Sequence, residues 1–283
     1  MQKLRNEVVN KILRAHLSKA EIDVLLEISH YQDENGTAYG VHYRDVCNAV
    51  GISVDTFYWA LHGLCEKNLI TAKKAAYGDW DIEIIGNNFV GKKPLGYVST
   101  GHDIFFNKEF LKLKANEKLI ALFLIMSVGA DGKKTYHKDL GDFYQFFCEA
   151  LDIKKLTLSR YLHRLKAFFN IRYDKNIILI KPGSDVEKWQ APKDNEILAE
   201  HIMKVAVRRN KATSSSEILK ETAALIGQYA RICREKSKNI CAVFLSAVQK
   251  SFEQINSAIR KRSEWNRQFQ PALINSLISK ATA

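Results

Sequence analysis

Apolar positions recur at helical spacing over most of this chain, and twice the helical pattern gives way to a short strand-like segment. "LSKAEIDVLLEISHY" (17–31) opens with Ser18 and Glu21 at capping-box spacing, then places Ile22, Leu25, Leu26 and Ser29 on one helical face. "DENGTAYG" (33–40) is turn-rich and predicts a loop. "YRDVCNAVG" (43–51) predicts a short helix stopped by Gly51, and "SVDTFYWALHGLCEKN" (53–68) a longer one with Ser53 as its cap. "LITAKK", "AYGDW" and "DIEII" (69–85) then predict strand, turn and strand.

The same order returns downstream. "NEKLIALFLIMSV" (116–128), "KDLGDFYQFFCEAL" (138–151) and "KKLTLSRYLHRLKAFF" (154–169) predict three helices, the last packing through Leu158, Leu162, Leu165 and Phe169. "NIRY", "DKN" and "IILIK" (170–181) predict a compact hairpin with a polar tip. Shifting the chain by 101 residues aligns 43–70 with 144–171, with identities that include Cys47/Cys148, Thr56/Thr157, Leu61/Leu162, His62/His163 and Leu64/Leu165. Matches at the same positions of the same predicted elements argue for two copies of one unit.

Beyond residue 193 the pattern is helical again. Ser214 and Glu217 form a second capping-box pair, and the stripes Ile218/Leu225/Tyr229/Ile232 and Ile240/Phe244/Val248/Ile255/Ile259 predict a small bundle. The predicted architecture is mainly α with small β wings. A first unit occupies 1–86, a linker 87–104, a second unit 105–184, and a C-terminal helical domain 194–283.

A short helix, a tight turn, a second helix and a hairpin make a winged helix-turn-helix. "AVGISVDTF" (49–57) and "ALDIKKLTL" (150–158) resemble the turn segments of winged-helix DNA-binding domains, over about 18–86 and 105–182. The resemblance implies that the helix after the turn enters the major groove and that the wing tip follows a phosphate backbone. Two such units and a helical tail resemble the replication initiators of plasmids and phages, in which one unit mediates dimerisation and the other reads repeated origin sites. The implied partners are double-stranded DNA, a second copy of the chain and the replication machinery. A transcriptional regulator working with the transcription machinery would show the same features, and an adaptor that binds only proteins is the reading from another class.

Charge adds a direction. The net charge is +12, but residues 1–90 carry −3, residues 91–184 carry +8 and residues 185–283 carry +7. A basic chain suits an anionic partner, and the basic part begins with the second unit. There the helix and its approach carry Lys154, Lys155, Thr157, Ser159, Arg160, Tyr161, Arg164 and Lys166 away from the leucine face, and the wing adds Arg172, Lys175 and Lys181. Arginine can bond bidentately to guanine, and hydroxyls reach phosphates or bases. In the first unit Arg160 becomes Trp59, Arg164 becomes Gly63, and Asp55 and Glu66 add negative charge. Tyr58 and Trp59 therefore predict a protein contact. Lys73 and Lys74 on the first wing remain candidates for a second backbone contact, and the basic groups 208–211 and 260–262 could extend the footprint.

Other chemistry leaves little trace. "GNNFVGKK" (86–93) has the G-x4-G-K spacing of a phosphate-binding loop, but Lys93 stands where Ser or Thr should hold magnesium. His62 and His163 match between copies without ligand-spaced neighbours and predict a half-buried helix position, not a metal site. No catalytic set, cofactor or metal is expected. Five cysteines without a CxxC pair predict a reduced cytoplasmic protein, and no apolar run approaches the ~20 residues of a membrane span.

Overall fold

A computed structural model describes residues 3–75, 78–90, 96–99, 105, 108–128, 135–183, 194–236, 238–258 and 267–283. The chain enters through β1 (Lys3–Arg5) and α1 (Asn6–Leu13). The first unit follows as α2 (Lys19–Tyr31), β2 (Thr37–His42), α3 (Tyr43–Val50), α4 (Val54–Glu66), β3 (Ile70–Lys74) and β4 (Asp79–Ile84). After β5 (Tyr97–Ser99) and α5 (Lys108–Lys112) the second unit repeats that order. It comprises α6 (Ala115–Val128), β6 (Tyr136–Asp139), α7 (Leu140–Leu151), α8 (Lys155–Leu165), β7 (Phe169–Asp174) and β8 (Ile177–Pro182). The molecule is mainly helical, with small antiparallel sheets.

Local signals place most of these ends. Ser18 and Glu21 close a capping box on α2. Ser53 accepts a bond from the Thr56 amide at the start of α4. Gly51 ends α3 with φ 71°, and Asp152 ends α7 with φ 50°, both in the left-handed region used to stop helices.

Each unit holds a strand that the sequence pattern does not suggest. The segment expected as a loop contains β2, which pairs with β4, and β6 pairs with β8. The sheets are ordered β2-β4-β3 and β6-β8-β7, the same topology twice. β2 is hidden because its register shifts between Ala38 and Val41, where Gly40 sits at φ 68°. That irregularity breaks the alternation by which a strand is recognised. Two expected boundaries also move: α8 ends at Leu165 and Phe169 opens β7, while α10 (Ser216–Glu235) is capped by Ser215, whose hydroxyl accepts from the Ile218 amide. Ser214 instead accepts from the Phe269 amide.

The two units do not have separate cores. One apolar cluster runs from Leu4 to Ile180. Its centre is α6, apolar on nearly every side, against which α1, α2 and α8 pack. Within the segment expected as a linker, β5 pairs with β1. Lys118 of α6 forms an ion pair with Asp23 of α2, both buried, so a charge pair crosses the joint between the units. Burial pushes the Asp23 carboxyl up and the Lys118 ammonium down, the direction that desolvation imposes on each.

The remaining helices are α9 (Asp194–Asn210), α10, α11 (Ile240–Ala258) and α12 (Pro271–Thr282). They enclose a second core that includes Ile226, Cys233, Phe244, Val248 and Ile274. Tyr39 of the first unit packs against that core, so the bundle rests on the first unit through β2. Of its predicted stripes, Ile232 is exposed and Ile259 lies outside the described residues.

Candidate nucleic-acid interface

Leu158, Leu162 and Leu165 are fully buried and fix the orientation of α8. At about 100° per residue, the line most nearly opposite them passes through Leu156, Arg160 and His163. All three are exposed, Leu156 at 66 %. Lys154, Lys155, Ser159 and Lys166 flank this ridge and are exposed, while Thr157 is half-buried. None of Lys154, Lys155, Arg160 and Lys166 forms an ion pair within the described residues. On the hairpin Arg172, Lys175 and Lys181 are exposed, with Lys175 at the tip. Arg172 Nε donates to Asn170 Oδ1 at 3.3 Å.

Two residues expected on the outer face act otherwise. Tyr161 is half-buried and packed on the core, because it shares the inward position held by Ala60 in the first unit. Arg164 turns back to α6, where its Nη1 donates to Glu117 Oε1 at 2.9 Å. Glu117 is buried and its other oxygen accepts from the Lys114 amide, so the arginine neutralises a carboxylate that caps α6.

The first unit solves the same problem differently. Glu21 of α2 stands where Glu117 stands in α6, and it pairs with Lys67 at the end of α4. Burial alone would push the Glu21 carboxyl up, but the Lys67 bond and the Ser18 bonds outweigh it and hold it below the usual value. Gly63, at the place of Arg164, makes room: a Cβ there would lie 2.2 Å from Glu21 Oε1.

On α4 the outermost line is Asp55, Trp59 and His62, the counterparts of Leu156, Arg160 and His163. Trp59 is 77 % exposed. Tyr58 is more enclosed, its ring 6.1 Å from Tyr43 and 6.4 Å from Trp80. Lys73 and Lys74 are exposed on β3. His62 and His163 are exposed, not half-buried as expected, and His62 lies 3.4 Å from Glu66.

The chain matches no family model, no curated protein and no solved structure.

The basic groups of the bundle divide. Arg208 and Arg209 are not part of a free basic patch. Arg208 bonds Asp79 at 2.7 Å, Asp45 at 3.3 Å and the Gly40 carbonyl at 3.0 Å, and Arg209 bonds Asp79 at 3.1 Å. Asp79 is fully buried. Asp45, Asp79 and Asp81, three of the twelve acidic residues in 1–90, are therefore engaged in holding α9. The group 260–262 lies outside the described residues. So do residues 91–93 of the glycine-rich stretch, while Asn87 there is buried and ties β1 down by bonds to the Arg5 amide and the Lys3 carbonyl, both 2.8 Å.

A polar cluster sits at the same joint. Tyr31 donates to the buried Glu27 carboxyl, and its ring stacks on His201 of α9 at 4.1 Å. His201 Nε2 meets the Tyr39 carbonyl at 2.7 Å. These side chains line a cavity of about 380 Å³ with Asp45, Asn48, Glu200 and Lys204. Burial pushes Glu27 up to about 7 and His201 down to about 4, so His201 is neutral at pH 7 and Glu27 keeps its proton below that pH.

Proposed function

We propose that this chain is a sequence-specific, double-stranded-DNA-binding protein built from two tandem winged helix-turn-helix units. The second unit reads DNA and the first is a docking and dimerisation unit. The observation that carries this is the outer surface of α8, where Arg160, Lys154, Lys155 and Lys166 form no ion pair among the described residues while Leu158, Leu162 and Leu165 of the same helix are fully buried. A helix so presented, beside a hairpin carrying Arg172, Lys175 and Lys181, suits a major groove flanked by phosphates. The matching ridge of α4 presents Asp55 and Trp59, which suits a protein partner better than a phosphate backbone. Replication initiation of a plasmid or phage is the role we assign, with transcriptional regulation as the alternative.

The test is selection of duplexes from a random library by the full chain at low salt, followed by titration of the enriched duplex. Submicromolar binding that weakens steeply with salt supports the reading. No enriched duplex overturns it and favours a protein-only adaptor. Clustered direct repeats in genomic fragments that bind would mark an initiator, and a palindrome a regulator. Trp59→Ala should leave DNA binding by the monomer intact and reduce self-association in sedimentation. Loss of DNA binding by a folded, correctly assembled Trp59 variant would reverse the roles of the two units.

A further inference from the structure

Leu156 is the feature of α8 that phosphate binding does not explain. It lies about 160° around the helix from Leu158, so it contributes nothing to the core that Leu158 anchors. Single exposed leucines are common on protein surfaces. This one stands on the outermost ridge, in the first turn, beside Arg160. It is also surrounded by Lys154, Lys155, Ser159 and Arg160, all exposed. The centre of a protein–protein interface is depleted of charge, and lysine especially, so this setting argues against a protein partner. A major groove meets it well. Phosphates take the lysines, base edges take the arginine, and the one apolar group that a base pair presents there is the thymine methyl.

We infer that Leu156 reads the 5-methyl group of a thymine, so that the preferred site carries a T·A pair close to the base pair contacted by Arg160. This rests on α8 being the DNA-reading helix. Four residues of helix rise about 6 Å, and stacked base pairs about 3.4 Å, so the two contacts fall within about two base pairs of each other. The first unit has Asp55 at this position, which has no apolar contact to offer and would repel the backbone.

The experiment uses the full chain and the duplex enriched in the selection. Each thymine is replaced singly by deoxyuridine, which removes only the methyl group, and affinity is measured for the wild-type chain and for Leu156→Ala. Wild type should lose about fourfold at one thymine, the size of one buried methyl group. Leu156→Ala should bind the thymine and deoxyuridine duplexes equally at that position, while Leu156→Met should keep part of the discrimination. Leu156 is exposed, so its variants should melt like wild type, which separates a lost contact from a lost fold. Equal binding of wild type to every deoxyuridine duplex overturns the inference and leaves the DNA-binding reading standing. Unchanged discrimination in Leu156→Ala assigns the methyl to another residue and also overturns it. Failure to enrich any duplex overturns the parent reading, and this inference with it.

Discussion

Arg164 Nη1 and Glu117 Oε1 are 2.9 Å apart, so one of the two arginines of α8 expected to read DNA is held by its own protein. The first unit keeps the same arrangement with other residues, Lys67 on Glu21 with Gly63 vacating the arginine position. The exchange of Arg164 for Gly63 between the units is thus a change in how a capping carboxylate is neutralised. It is Arg160 and Trp59 that distinguish their outer faces.

Arg164→Ala and Arg160→Ala should therefore separate stability from binding. Removing Arg164 leaves a buried carboxylate without its cation and should cost about 1–2 kcal/mol in denaturant unfolding, reduced because Arg164 is partly exposed. Removing Arg160 should leave the unfolding midpoint unchanged and weaken the selected duplex about tenfold or more, the value of a lost bidentate base contact. Equal stability of the two variants would contradict this division.

Gly63→Ala should reveal the space that Glu21 needs. Alanine in a helix interior is worth about 1 kcal/mol over glycine. With Glu21→Ala already in place, the substitution should yield most of that gain. In the wild-type background the new methyl meets Glu21 Oε1, and the gain should vanish or reverse. Additive effects in the double-mutant cycle would show that the carboxylate moves aside without cost.

The Glu27–His201 pair predicts opposite pH dependences from single variants. A folded carboxyl at about 7 against 4.5 unfolded loses stability as pH rises through that window. A folded imidazole at about 4 against 6.5 loses stability as pH falls through that one. In wild type the two oppose. Between about pH 5 and 6.5 the folded chain keeps its proton on Glu27 and the unfolded chain keeps one on His201, so the pair contributes almost no slope. Asp45, Glu200, Lys204 and Arg208 face the same cluster and remain unchanged in both variants. Relative to wild type, His201→Gln should lose stability as pH rises from about 4.5 to 7, and Glu27→Gln as pH falls from about 6.5 to 4, each by up to about 3 kcal/mol. Parallel curves for the two variants in urea unfolding would refute the pairing.

Arg209 should prove structural. Arg209→Ala should cost about 1 kcal/mol in thermal unfolding, since Arg208 still holds Asp79. It should leave the salt dependence of DNA binding unchanged. A phosphate contact by Arg209 would instead lower the slope of log K against log salt by about 0.9.

What was legible in the sequence was what local chemistry decides. The Ser18–Glu21 capping box, helix-stopping Gly51, the buried Leu158, Leu162 and Leu165 of α8 and the hairpin tip at Lys175 appear as expected, because each is set by neighbours within a few residues, whereas the expected Ser214–Glu217 pair gives way to Ser215. The repeat announced a shared element order for the same reason. The outer ridge of α8 was half legible. Arg160 declares itself by its charge, whereas an apolar residue such as Leu156 is indistinguishable in sequence from a core position.

The rest depended on partners far away in the chain. β2 is a strand because β4 lies beside it, and the bulge at Gly40 erases its alternation. Arg164, Arg208 and Arg209 look alike in sequence to any free basic residue, and only the fold brings Glu117 and Asp79 to them. Sequence alone set most of the helices, the two hairpins and the sign of the charge in each region. The tertiary structure decided which of those charges remain free for a partner, because a charge is neutralised by proximity in space and spacing along the chain carries no record of it.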